Sequence, residues 1–184
     1  MPKVSQEHVE ARRAQILEGA RRAFSRFGYE GATVARIEEE TGLSRGAIFN
    51  YFDGKLDLFV ALAREVNRHY TRLVVEQGFE GALREMARES PDWLGVLLET
   101  QARLRHDPEF ERRMVPSEDE QQRLLDWFRT RQADGTFRTD VGLRDLARFA
   151  TMVLNGLALH VLAGDETDVE SVVRLLNDAL APVH

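Results

Sequence analysis

A chain of 184 residues, 43% hydrophobic and 30% charged, is long enough to enclose a full core and too apolar to be a disordered polymer. It has no cysteine, which excludes a disulfide framework and thiol chemistry; it opens without a secretory leader pattern and no apolar run approaches a membrane span, so a cytoplasmic protein with no membrane partner is expected. The net charge of −6 is unevenly spread: residues 1–55 carry nine Lys and Arg against eight Asp and Glu, a balance of +1, which leaves 16 against 23, or −7, for the remainder.

Residues 1–8, with Pro2, Lys3 and Ser5, show no period and read as an arm. From Val9 to Phe27 the positions Ile16, Ala20, Phe24 and Phe27 form one helical stripe, with Arg12, Arg13, Arg21, Arg22 and Arg26 on the other faces and Gly28 as the stop. The stretch from Thr33 to Lys55, TVARIEEETGLSRGAIFNYFDGK, then reads as two short helices around a glycine turn. Thr33 is placed to cap the first, Val34, Ala35 and Ile37 recur at helical spacing, and Gly42 ends the run. Ser44 is a second N-cap, opening a helix that buries Ala47, Ile48 and Phe52 and leaves Arg45, Gly46, Asn50 and Tyr51 outward. That is the grammar of a helix-turn-helix.

A helix that enters the major groove needs small residues for close approach and hydrogen-bonding side chains near its N-terminal end. Gly46 and Ala47 supply the first; Arg45 can bind guanine bidentately, Asn50 can reach a base edge or phosphate, and Tyr51 and Lys55 can hold backbone phosphates. The N–H groups after Ser44 also suit a phosphate, and Thr33 completes the candidate DNA-binding set. Against this stand Glu38, Glu39 and Glu40, three acids close to a phosphate backbone. A solvated helical hairpin in a bundle would show the same local pattern.

After the hairpin, Asp53 is expected to cap a long helix over residues 54–77, with Leu58, Phe59, Leu62, Val66, Tyr70 and Leu73 inward. Gly78 and Gly81 bracket a break before a short helix to Glu89. Ser90-Pro91-Asp92 and Asp107-Pro108-Glu109 each set a cap, a proline and an acid at a helix start, and a further helix runs to Gln132 with an interruption near Pro116. Beyond Asp140 a strongly apolar helix passes through Leu146, Phe149, Met152, Val153, Leu157 and Val161 to Gly164, and Thr167 with Glu170 forms a capping box for the last helix. The result is an all-α chain of about nine helices.

The segments ILEGARRAFSRFGYEGAT before the hairpin and YFDGKLDLFVALARE after it closely resemble the N-terminal domain of TetR-family transcriptional regulators. Gly28, Thr33, Gly42, Ser44, Gly46, Phe49, Tyr51, Phe52 and Lys55 stand where that pattern expects them. The resemblance implies a three-helix DNA-binding module over residues 1–55, continuing into the connecting helix 54–77, and a helical effector-binding and dimerisation domain over 56–184. It also implies a homodimer through the last two helices, operator DNA as partner, and repression released by a small molecule. Leu157 and Leu176 are expected in the shared apolar face.

The run EGARRAFSRFGYEGATVARIEEETGLSRGAIFNYF, with FRTDV at Phe137 to Val141, resembles more narrowly the actinobacterial aconitase repressors within that family. This implies a small carboxylate effector such as citrate, accompanied by a divalent cation such as Mg²⁺. The candidate ligands are Arg138 and Arg103, with Asn155 and His160 as polar groups on the apolar helix; plainer roles are a Glu99–Arg103 pair and an Arg138–Asp140 contact. Trp93, Trp127, Phe128, Phe149 and Met152 would instead line a pocket for an apolar drug or metabolite. No nucleophile elbow, phosphate loop, dinucleotide glycine pattern or histidine metal spacing is present, so neither an enzyme nor a protein-bound metal or cofactor is expected. A helical small-molecule carrier is the reading from another class.

Overall fold

The computed structural model describes residues 6–115 and 117–183, the side chains of Gln101, Arg103 and Leu104 excepted, so the first five residues of the expected arm and Pro116 lie outside the described residues. Among the described residues the chain is entirely helical: α1 Gln6–Gly31, α2 Val34–Thr41, α3 Arg45–Phe49, α4 Lys55–Met86, α5 Pro91–Leu104, α6 Pro108–Met114, α7 Glu118–Ala133, α8 Leu143–Ala163 and α9 Val169–Leu180.

The helices fall into two compact units, and the division is not the one expected at residue 55. One unit takes the chain as far as Glu65 together with Gly95–Val115; the other takes Val66–Leu94 and Pro116–His184. Aromatic packing explains why α6 belongs with the N-terminal helices. Phe59 meets Phe24 and Tyr29 edge-on, at 5.8 and 5.3 Å between centroids, and Phe110 of α6 closes on Phe59 at 6.3 Å. Arg113 of α6 pairs with Asp57 at the start of α4. Asp57 also corrects the expected cap: Asp53 donates its own backbone N–H to the Asp57 carboxylate at 3.0 Å, and the Gly54 carbonyl accepts the first helical bond of α4.

In the first unit α1 buries Ile16, Leu17, Ala20, Ala23 and Phe24, the stripe its sequence predicts. The α1–α2 crossing is close because residue 19 is glycine: a Cβ there would stand 2.5 Å from the Thr41 methyl and 2.8 Å from its Cα. In the second unit Phe79, Leu83, Phe128, Phe137, Leu146, Leu157, Leu176 and Leu180 form one apolar core drawn from α4, α7, α8, α9 and the segment before α8. Helix α4 breaks once, at Gly78, which adopts φ 69°; Gly81 remains helical. Helix α9 is capped by Asp168, whose side chain accepts the Ser171 N–H, rather than by a Thr167–Glu170 box. Glu170 is drawn away to a bidentate pair with Arg84 at 2.8 and 2.9 Å.

Helix α8 carries two apolar faces. Leu146, Ala150, Leu157 and Ala158 are buried, while Phe149, Met152, Leu159 and Leu162 are exposed. By length and hydropathy alone Leu143–Ala163 is apolar enough to cross a membrane, contrary to the expectation from the sequence. The reason is that α8 adds an uncovered apolar stripe to a core-facing one.

Four carboxylates of the second unit, Asp134, Asp140, Asp168 and Glu170, are held below their ordinary pKa. Hydrogen bonds from Thr136, Arg138, Ser171 and Arg84, respectively, are the leading causes. A group depressed in the folded state stabilises it above the unfolded pKa and ceases to do so as pH falls through the folded value. The thermal midpoint is therefore expected to be flat above about pH 5 and to drop as the pH falls through 4. Arg84→Met should flatten that acid limb, as followed by circular dichroism between pH 3 and 7.

Candidate nucleic-acid interface

Helix α3 is five residues long, and its place is fixed from both ends. Thr33 caps α2 by accepting the Arg36 N–H, and Gly42, at φ 69°, closes α2 in the left-handed conformation that glycine adopts without penalty. Thr41 then locks the turn. Its hydroxyl donates to the Glu38 carbonyl and accepts the Leu43 N–H, each at 3.2 Å, while its own carbonyl accepts from Gln15 of α1. Ser44 caps α3 by accepting the Ala47 N–H.

The side chains divide as the sequence predicts at five of the seven positions, Ala47 and Tyr51 being the exceptions. Ile48 and Phe52 are buried; Arg45, Gly46 and Asn50 are exposed, and Ala47 and Tyr51 are half-buried. Gly46 has no protein atom within 4 Å of where a Cβ would stand. Glycine in a helix costs about 1 kcal/mol relative to alanine, and no packing inside the chain demands it here.

Two expectations change. The N–H groups after Ser44 are not an open phosphate cradle, because the Glu38 carboxylate accepts the Arg45 N–H at 2.5 Å and Ser44 takes that of Ala47. Lys55 is not a loose phosphate ligand: its ammonium donates to the Tyr29 carbonyl at 3.0 Å and the Glu30 carbonyl at 3.4 Å, and sits over the Tyr29 ring. It secures the end of α1 against the start of α4. The same geometry accounts for two of the unexpected acids. Glu38 adds a cap to α3, and Glu40 pairs with Arg22 and Arg26 of α1 at 3.2 and 3.4 Å, with Arg22 also bonded to the Glu40 carbonyl. Glu39 is exposed, and nothing in the structure explains it.

Sequence reasoning missed Glu38 and Thr41 as the residues that orient α3; the signal available was an acid seven residues before Arg45 and a threonine just before the glycine turn. It also left out Phe49, which is half-buried beside Arg45.

The three candidate effector residues whose side chains are described, Arg138, Asn155 and His160, do not form an anion site. Arg138 makes a bidentate pair with Asp140 at 2.8 and 2.7 Å and donates to the Ala179 carbonyl, and its backbone N–H donates to the Leu180 carbonyl, so it finishes the C-terminal end of α9. Its plainer role is the one the structure supports. His160 bonds Asp165 at 2.8 Å and lines a groove of about 530 Å³ with Glu166 and Asp168, surroundings that repel a carboxylate. Asn155 is exposed on α8, and the Arg103 side chain lies outside those described. Among the described residues no cluster of His, Cys, Asp and Glu could hold a metal.

Comparison with known proteins adds a family to this geometry. The model described as "Bacterial regulatory proteins, tetR family" matches residues 16–62, and that described as "BetI-type transcriptional repressor, C-terminal" matches residues 75–183. The "HTH-type transcriptional repressor AcnR" of Corynebacterium diphtheriae is 40% identical over 188 residues, covering 98% of this chain and 97% of that protein. The "HTH-type transcriptional repressor Rv1474c" of Mycobacterium tuberculosis is 40% identical over 169 residues, 90% of each. Of solved structures, Salmonella enterica GusR superposes with a TM-score of 0.72 at 17% identity, covering 97% of this chain and 98% of that one, a likeness of fold alone.

Gly46 and Glu38 separate binding from stability. Gly46→Ala should leave the fold intact or up to about 1 kcal/mol more stable, because it removes a helix penalty, yet weaken DNA binding at least tenfold. Glu38→Ala should lower stability by roughly 0.5–2 kcal/mol, the range for a lost cap. Thermal melts beside fluorescence-anisotropy titrations of the two variants check both.

Proposed function

This chain belongs to the TetR family of bacterial regulatory proteins, and on that premise we propose how it works as a helix-turn-helix transcriptional repressor. Two copies place α3 in successive major-groove half-sites of an operator, and a small molecule bound to the second unit releases them. Acting on operator DNA puts the protein in the cytoplasm. The observation that carries the DNA reading is the exposure of Arg45, Gly46 and Asn50 on a helix whose opposite side, Ile48, is fully buried with Phe52 beneath. Half-sites about one helical turn apart, roughly 34–36 Å, tie operator choice to the spacing of the two α3 helices.

The homodimer reading is supported by apolar surface that the protomer leaves uncovered. Met152 and Leu159 of α8 and Leu175 of α9 are 57, 55 and 69% exposed, and Gly156 of α8 meets no neighbouring side chain within 4 Å of a Cβ position. Leu157 and Leu176, expected in that face, are 4 and 2% exposed and belong to the protomer's own core. A helix with a second apolar stripe is what a two-fold contact requires.

For the effector, a small carboxylate such as citrate with Mg²⁺ is the reading that similarity to AcnR proteins favours, while an aromatic cluster in the second unit supports the alternative of a largely apolar metabolite, one that brings a hydrogen-bond acceptor. The Trp127 indole N–H is buried without a partner, in a cluster where Phe79, Phe128 and Phe137 surround its ring at 5.3–5.5 Å. Calorimetric titration of citrate, with and without Mg²⁺, decides between them: no heat in either buffer removes the carboxylate. Arg138→Ala should lower the thermal midpoint and leave effector affinity unchanged.

A gel shift against the chain's own upstream region tests the repressor directly. Arg45→Ala should cost roughly 1–3 kcal/mol on the cognate site and little on random DNA; equal losses on both would remove Arg45 as a base reader. Leu159→Asp should give a folded monomer by light scattering, whereas Leu157→Asp should unfold the second unit.

A further inference from the structure

Beside α3 lies a concavity of about 620 Å³ lined by Arg45, Gly46, Phe49, Phe52 and Asp53. Its composition is informative. It presents one cation and one anion, so it has no net charge with which to clamp a phosphate; Asp53 would repel one. It presents aromatic surface at Phe49, only half-buried where Ile48 and Phe52 on either side of it are enclosed. It lacks a side chain at Gly46, where nothing within the protein stands in the way. A mixed hollow without net charge fits base edges in a major groove better than the sugar-phosphate backbone.

Resting on the DNA-binding function above, we infer that Arg45 and Phe49 read one base step together, a guanine beside a thymine, with Phe49 taking the C5 methyl of the thymine. The two residues are one helical turn apart, and the Arg45 guanidinium stands 5.6 Å from the Phe49 ring centroid. Successive bases are separated by about 3.4 Å along a strand. The guanidinium lies over the ring with centres 5.6 Å apart, more than one such step and less than two, so the two side chains reach different base pairs rather than one. Arg45 has paired donors for guanine O6 and N7, and Phe49 has only apolar surface, for which the thymine methyl is the one apolar group in the major groove. Gly46, between them in sequence, lets the pair descend to the base edges, and the ring in turn limits the positions open to the Arg45 side chain.

The test begins with selection of bound duplexes from a random library by the full chain. Each thymine of the enriched site is then replaced in turn by deoxyuridine, which deletes the C5 methyl and nothing else. One position per half-site, adjacent to the guanine whose replacement costs most, should weaken binding about fourfold, the worth of one buried methyl group. In Phe49→Ala that penalty should vanish while the guanine preference remains; in Arg45→Ala the guanine preference should be lost. Phe49→Leu, which keeps apolar surface and helical content, should retain part of the uridine penalty and guards against a variant that merely fails to fold. If no thymine is sensitive in the wild-type protein, or the sensitivity survives in a folded Phe49→Ala, the inference is overturned. Enrichment of no sequence at all would bring down the DNA-binding reading along with it.

Discussion

Five residues of α-helix do not hold together by their own hydrogen bonds, since nucleating a helix costs more than a single turn returns. Helix α3, Arg45–Phe49, is that short, so its existence and its direction are imposed from outside. Ile48 and Phe52 anchor it from below, Ser44 and Glu38 hold its first N–H groups, and Thr41 fixes the turn that delivers it. Gln15 ties that turn to α1, and the contact of Gly19 with Thr41 sets how near α1 lies. DNA recognition is therefore a property of the whole three-helix arrangement. A change at Gly19 or Thr41, neither of which faces outward, moves Arg45.

The charges of the first unit follow from the same constraint. A balance of +1 over residues 1–55 is low for a nucleic-acid binder, and several cations of the first unit already have partners within the protein. Arg22 and Arg26 hold Glu40, Lys55 holds the end of α1, Arg113 holds Asp57, and Arg13 lies over the Phe52 ring at 4.4 Å. Few cations remain for phosphate, so non-specific affinity, which comes from counterion release, should be modest. Selectivity then depends on shape and on the few side chains at the groove. In this module rigid placement substitutes for positive charge.

Local signals were legible in the sequence, and distant ones were not. The caps at Thr33, Ser44 and Asp107 and the stop at Gly42 each involve groups a few residues apart, and each stands where it was read. The Thr167–Glu170 box failed because Arg84, 86 residues away, competes for the same carboxylate. For Arg138 the sequence left an anion ligand and a contact with Asp140 both open, because its partner carbonyls on Ala179 and Leu180 are 41 and 42 positions along the chain, beyond any periodicity. Leu157 and Leu176 show a different limit. A helical stripe identifies apolar faces, but on α8, which has two, spacing does not tell which one the protomer keeps for itself. That α6 packs with the N-terminal helices was illegible for a similar reason, since the Phe59–Phe110 contact joins segments 51 residues apart.

The effector question turns on charge more than on shape. In the second unit Arg84, Arg129, Arg131, Arg138, Arg148 and Arg174 each already face a carboxylate. A bare tricarboxylate that met only these six would find paired arginines and surplus acid, and burying its charge without new positive partners costs several kcal/mol per ion. An anion carried as its complex with a divalent cation arrives with most of that charge cancelled and asks far less of the protein. A requirement for metal would then follow from the electrostatics of the unit rather than from any metal site in the chain, and it would distinguish a carboxylate effector from an apolar one, which needs neither cation nor arginine.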